Sequence, residues 1–79
     1  MIYVYILESQ DEPESYYQGV TRDLRTRLEQ HNSGQVAHTS KFKPWKIKNY
    51  FAFKDEQKAY AFERYLKSGS GRAFVKKHF

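Results

Sequence analysis

The sequence predicts an α+β fold over residues 1–79: a small three-stranded antiparallel sheet flanked by helices, in the order β-β-α-β-α-α. Three observations carry this expectation. Apolar and aromatic residues form strand-like runs at Ile2–Leu7, Tyr16–Val20 and Trp45–Phe53. Apolar residues recur at helical spacing in two later stretches, and the intervals between elements are rich in turn-forming residues. The length of 79 residues suits one domain spanning the whole chain, with no repeat, low-complexity segment or long linker to divide it.

The first strand, Ile2-Tyr3-Val4-Tyr5-Ile6-Leu7, puts Ile2, Val4 and Ile6 on one face and Tyr3, Tyr5 and Leu7 on the other, so it is expected to be buried on both. Asp11, Glu12, Pro13, Glu14 and Ser15 supply turn chemistry, and Tyr16 to Val20 returns as the second arm of a hairpin. Thr21 is placed to cap a helix running roughly from Arg22 to His31, with Leu24 and Leu28 on one side and Asn32-Ser33-Gly34 at its end. Gln35 to Pro44 is polar and basic and reads as a long loop. A third strand, Trp45–Phe53, is expected to carry Trp45, Ile47, Phe51 and Phe53 on one face. Asp55–Lys67 reads as a helix with Ala59, Phe62 and Leu66 inward, ended by Ser68-Gly69-Ser70-Gly71. A last short helix, Arg72–Phe79, turns Phe74, Val75 and Phe79 to the core.

Composition narrows the function classes. Hydrophobic residues make up 39% of the chain and aromatics 18%, so the core gains its buried area from large rings. No cysteine is present, which excludes disulfides and thiolate zinc sites; any metal must sit on oxygen or imidazole. The apolar stretch Tyr3–Leu7 is far short of the ~20 residues of a membrane span, and no signal pattern precedes it, so the expected location is the cytoplasm, away from membranes. Residues 1–40 hold three Arg against six acids, while residues 41–79 hold nine Lys and two Arg against three acids. The net charge of +5 is therefore concentrated in the second half, as a polyanion-binding surface would require, although a solvated lysine surface is the ordinary alternative.

Three features break local patterns. Glu63 lies beside Phe62 and Leu66 on the helix face expected to be buried, where it is either a flank carboxylate paired with Lys or Arg, or a ligand for a hard cation. Arg27 and His31, spaced i, i+4, project from one helix face; they are either an exposed Arg with a half-buried His, or a phosphate fork beside a proton carrier. Tyr3, Tyr5, Tyr16 and Tyr17 come from adjacent strands, with Gly19 alongside to admit a close approach.

Taken in order, Tyr3-Val4-Tyr5, Tyr17-Gln18-Gly19, Arg27, His31-Asn32-Ser33-Gly34, Pro44-Trp45-Lys46 and Glu63 resemble the GIY-YIG nuclease superfamily over nearly the whole chain, most closely its small stand-alone bacterial single-domain members. The Lys67-Ser68-Gly69-Ser70-Gly71-Arg72 segment is similar to one such subgroup. Tyr3 stands in place of the first Gly of the name motif, Gln18 in place of an aliphatic residue, and Val20 where some DNA-repair members carry a Lys. The resemblance implies a GIY-YIG endonuclease-like fold, Tyr5 and Tyr17 as the signature tyrosines, Arg27 as the catalytic arginine, His31 at the Tyr-or-His position, and Glu63 as ligand to one Mg²⁺ or Mn²⁺ ion.

That set suits phosphodiester hydrolysis, which needs a deprotonated water, charge stabilisation at the non-bridging oxygens and neutralisation of the leaving oxygen. The base is open between Tyr17 and His31: a tyrosine ordinarily titrates near ~10 and needs cations beside it to serve, whereas a histidine does not. The implied activity is a metal-dependent DNA endonuclease acting on structured or single-stranded DNA, with Lys41, Lys43 and Lys46 as candidate DNA contacts. The competing readings are a non-catalytic nucleic-acid-binding module with a degenerate site, and a structural subunit for a protein partner.

Overall fold

A computed structural model describes residues 1–79. Its elements are β1 (Ile2–Ser9), β2 (Tyr16–Thr21), α1 (Leu24–Asn32), β3 (Trp45–Phe53), α2 (Glu56–Lys67) and α3 (Gly69–His78), with one 3-10 turn at Ser40–Phe42 inside the long loop. The sheet order is β2-β1-β3 and both pairings are antiparallel. This is the predicted α+β architecture. No helix is long and apolar enough to cross a membrane.

β1 is central because it is the one strand apolar on both faces. Ile2, Val4 and Ile6 pack with Ala59 and Leu66 of α2 and Val75 of α3. Tyr5 and Leu7 point the other way, toward Trp45, Tyr17, Leu24, Leu28 and Phe42. The sheet thus separates two cores, α2 and α3 beneath and α1 with the long loop above.

β3 departs from the expected pattern. Trp45 and Ile47 join the α1-side core, whereas Phe51 and Phe53 pack on the α2 side. Ile6 pairs with Asn49 but Leu7 pairs with Ile47, so Lys48 is an extra residue between them. A bulge of one residue exchanges the two faces of a strand from that point on. Residues sharing one parity in sequence therefore end in different cores.

Both helix starts that sequence reasoning placed by their nearest hydroxyl or glycine also shift. Asp23 caps α1 in place of Thr21: its carboxylate accepts the Thr26 amide at 3.0 Å and the Thr26 hydroxyl at 2.9 Å. Thr21 instead accepts the Asp23 amide at 3.1 Å, tightening the turn before the helix. Hydrogen bonds from Thr26 hold the Asp23 carboxyl below its ordinary range, in keeping with an acid at a helix N-terminus. α3 begins at Gly69, not Arg72, because the Ser68 hydroxyl accepts the Gly71 amide at 3.1 Å and restarts the helix at once. At the far end, Phe79 is 42% exposed and meets Phe51 and Phe74 edge-on instead of entering the core.

The α2–α3 joint depends on Gly71. A Cβ there would overlap the Tyr65 carbonyl and lie 2.6 Å from the Leu66 Cα, both backbone groups that cannot swing aside. Gly71→Ala is expected to destabilise the fold by about 3 kcal/mol, the upper range for overpacking. Gly69 has nothing within 4 Å of its Cβ position, and Gly69→Ala should be neutral or stabilising. Urea unfolding of the two variants checks the contrast.

Candidate active site

Register places the signature tyrosines. Tyr5 of β1 pairs with Gly19 of β2, and Leu7 pairs with Tyr17, so all four lie on the α1 face. The Tyr5 and Tyr17 ring centroids are 6.5 Å apart. Gly19 supplies the space: a Cβ there would overlap the Tyr5 hydroxyl, so the phenol lies directly over its backbone.

α1 closes over this pair. His31 is wholly buried, its ring centroid 5.0 Å from Tyr17 and 5.9 Å from Tyr5. Its Nε2 lies 3.0 Å from the Tyr5 hydroxyl and its Nδ1 2.7 Å from the hydroxyl of buried Thr39. Arg27, one turn earlier, donates Nε–H to the Tyr5 oxygen at 3.3 Å and Nη1–H to Gln30 Oε1 at 3.0 Å, leaving Nη2 without a protein partner. Thr39 Oγ1 in turn is placed to donate to the Val36 carbonyl at 3.3 Å.

One assignment gives each of these hydrogens an acceptor within the protein. Arg27 donates to the Tyr5 oxygen, Tyr5 donates to His31 Nε2, His31 Nδ1–H donates to Thr39, and Thr39 donates to Val36. His31 is then neutral, with its Nε2 lone pair turned toward Tyr5. Burial, reinforced by the nearby Arg27 charge, pushes the imidazole below its ordinary value of 6.5, which favours that neutral form. Burial likewise raises the Tyr5 hydroxyl above 10.0, the dominant influence over the lowering effect of Arg27.

A pH dependence of stability follows. Near the ordinary histidine value of 6.5 the unfolded chain takes up a proton that folded His31 does not. Stability should therefore fall as pH drops through 6.5 and level off below the lowered folded value. Replacing His31 with Gln should flatten this part of a pH series of urea unfolding curves, whatever its effect on the plateau.

Glu63 approaches from α2. α2 packs on the opposite face of the sheet from α1, and the Glu63 side chain, 14% exposed, pairs with Lys67 at 2.5 Å. Tyr5 thus meets Tyr17, His31 and Arg27, and Tyr17 also lies against His31, whereas the one side-chain partner of Glu63 is Lys67. The candidate lysines are not part of this cluster. Lys46 pairs with Glu8 at 3.4 Å, beside a second Glu8 pair with Lys48 at 3.5 Å, while Lys41 and Lys43 are exposed on the loop. Thr39 is the polar member that local sequence reasoning passes over. It lies in a segment without periodicity, and its partner is distant in sequence.

The loop itself is tied down by Asn32, whose side chain accepts the Trp45 amide at 2.5 Å and donates to the Trp45 carbonyl at 3.0 Å. The Trp45 indole N–H then donates to the Thr39 carbonyl at 2.8 Å, which fixes the hydroxyl that holds His31.

Residues 1–77 match the family model described as the GIY-YIG catalytic domain. The chain belongs to that family. The GIY-YIG family is one of endonucleases, whose domains act on DNA and generally use a divalent metal. Among solved structures, this GIY-YIG chain is similar to the UPF0213 protein from Bacillus halodurans, determined by NMR in solution. The two are 31% identical, with a TM-score of 0.57, over 98% of this chain and 84% of that one. No curated protein matches the chain.

Proposed function

We propose that this protein is a metal-dependent DNA endonuclease that hydrolyses phosphodiester bonds at the Tyr5–Arg27–His31 centre. The observation that carries the reading is the directed hydrogen-bond chain. A neutral imidazole accepts from a tyrosine whose oxygen also receives a guanidinium N–H.

His31 is buried with both nitrogens engaged and Tyr5 is buried beside it, so substrate water would reach the pair only at the Tyr5 oxygen, from the side where half-buried Arg27 meets it. It acts through Tyr5. The attacking water passes a proton to the Tyr5 oxygen as the Tyr5 proton moves to His31 Nε2, and the resulting imidazolium keeps its Nδ1–H on Thr39. The hydroxide forms a bond to phosphorus, and the bond from phosphorus to the leaving oxygen breaks. Arg27 Nη2 holds a non-bridging oxygen of the phosphate, while Nε keeps the Tyr5 oxygen in place. Tyr17, with no side-chain hydrogen bond inside the protein, orients the phosphate or the water at the open side.

The donor set near the site fits a cation carried largely by the substrate. No group of three or more His, Cys, Asp or Glu side chains could cage a metal. Glu63 offers one carboxylate, and one or two carboxylates with phosphate oxygens and waters are how Mg²⁺ is commonly held. When bound at Glu63, such an ion supplies charge neutralisation at the leaving oxygen. Lys67 occupies the carboxylate in the free protein and would have to yield it.

The test is cleavage of plasmid, single-stranded and branched DNA with Mg²⁺ or with chelator, using Glu63→Ala as control. Its pH profile distinguishes the bases. With His31 as acceptor, the rate rises to a plateau reached below neutrality; a tyrosine base would keep it rising toward ~10. No cleavage of any of these DNAs would instead favour the non-catalytic binding module.

A further inference from the structure

We infer that the groove along the free edge of β2, between that edge and α3, binds a nucleotide of the DNA strand adjoining the scissile phosphate. This rests on the nuclease reading for its link to cleavage, though the binding it describes is measurable without any cleavage.

The groove encloses about 510 Å³, within the ~300–1,000 Å³ typical of sites that hold small organic groups. It begins at the proposed active site, since Tyr17 and Thr39 form part of its wall. Beyond them it is lined by Tyr16, Gln18, His38, Arg72 and Lys76. Three kinds of group that a nucleotide requires are therefore present together.

Cations come first. Arg72 and Lys76 stand four residues apart on α3, so they share a helix face, and both line the groove. Neither has a carboxylate partner, in contrast to Lys46, Lys48 and Lys67, which are all paired. Like charges at this spacing repel, and a bound phosphate would relieve that repulsion. Aromatic surface comes second: Tyr16 is 40% exposed, with Lys48 Nζ over its ring at 5.6 Å from the centroid, and a base that stacks on this ring displaces that ammonium or takes the other face. The third is Gln18, which lines the groove and carries an amide able both to donate to and to accept from a base edge. Glu14 lines the groove too and, with Tyr16 and Lys76, borders a smaller pocket beside it, so its carboxylate lies on the Lys76 side and the phosphate belongs toward Arg72.

A free strand edge also accommodates an added peptide strand, which would use backbone pairing and need no cations. The unpaired Arg72 and Lys76 favour nucleic acid.

The experiment measures binding of a short fluorescein-labelled DNA oligonucleotide, single-stranded and duplex, in EDTA across a salt series, with cleavage measured separately in Mg²⁺. Arg72→Gln combined with Lys76→Gln should reduce the slope of log K against log salt by about 1.4–1.8, two phosphate contacts at ~0.7–0.9 each. Lys54→Gln with Lys77→Gln removes the same charge outside the groove and should change the slope much less. Tyr16→Leu should weaken binding about tenfold, the order expected for loss of one stacked base.

Equal slopes for the two double variants would overturn the inference while leaving the nuclease reading intact if cleavage persists. A groove-specific loss of slope in a protein that cleaves none of these DNAs would uphold the binding site and overturn the nuclease reading. A parent protein that binds no DNA at all would overturn both.

Discussion

Glu63→Gln is expected to lower Mg²⁺-dependent cleavage by about 10³-fold or more, while DNA affinity stays within about tenfold of the parent. The separation follows from where charge appears during the reaction. Glu63 would hold an ion whose charge would offset an oxygen that becomes strongly negative only as the bond to phosphorus breaks, so loss of the carboxylate would be felt mainly in the transition state. The ground-state complex loses little, because replacing a carboxylate by an amide also removes a negative charge that would repel DNA. Arg27→Ala should behave differently and harm binding and rate together. Its free Nη2 can hold a phosphate already in the ground state, and its Nε is bonded to the Tyr5 oxygen. A third variant separates metal ligation from mere ion pairing. Lys67→Gln breaks the 2.5 Å pair with Glu63 yet leaves the carboxylate free, so cleavage should persist. Single-turnover rates and binding isotherms for the three proteins decide the matter. If Lys67→Gln fails as badly as Glu63→Gln, the carboxylate serves the helix flank and not a cation.

The parts of this site visible in the sequence are those that disturb a periodic pattern. Glu63 stands beside Phe62 and Leu66, and Arg27 and His31 lie one turn apart on α1, so a helical wheel alone marks them. β1 is legible for the same reason, since six consecutive residues suited to burial leave few alternatives to a central strand. What local pattern does not carry is anything decided by pairing across the fold. The extra residue at Lys48 leaves the parity of β3 unbroken in sequence and shows itself only in the change of partner from Asn49 to Ile47. Glycines at 69 and 71 look like a helix terminator, but Ser68 caps a new helix there, and Gly71 is needed for the approach to Tyr65. Lys46 stands in a basic stretch, and its pairing with Glu8 shows only in the register between β1 and β3. His31, which pattern alone would leave half-buried, is completely enclosed because Thr39 and Trp45 close a loop that has no pattern of its own.

Gly19→Ala is the smallest change expected to disable the centre. The added methyl would overlap the Tyr5 hydroxyl and come within 2.5 Å of the ring carbon that bears it. β2 is bound to β1 through a continuous register from Tyr16 to Thr21, so the strand itself is held, and the phenol is the group left to move. Tyr5 is buried, and its oxygen is engaged with both His31 and Arg27, so any displacement breaks the proton path at its first step. The overpacking should cost about 1–3 kcal/mol of stability, partly offset because alanine suits a strand better than glycine. Cleavage should fall by about 10²–10⁴-fold, the usual contribution of a positioned acid–base group. A double-mutant comparison makes the interpretation specific. Tyr5→Phe should slow the parent protein by a similar factor but cost almost nothing further in the Gly19→Ala background, because both changes interrupt the same transfer to His31. Folded Gly19→Ala protein, verified by far-UV circular dichroism, is the material for these rates. If it cleaves at the parental rate, Tyr5 does not relay the proton, and if the two losses simply multiply, the residues act on separate steps.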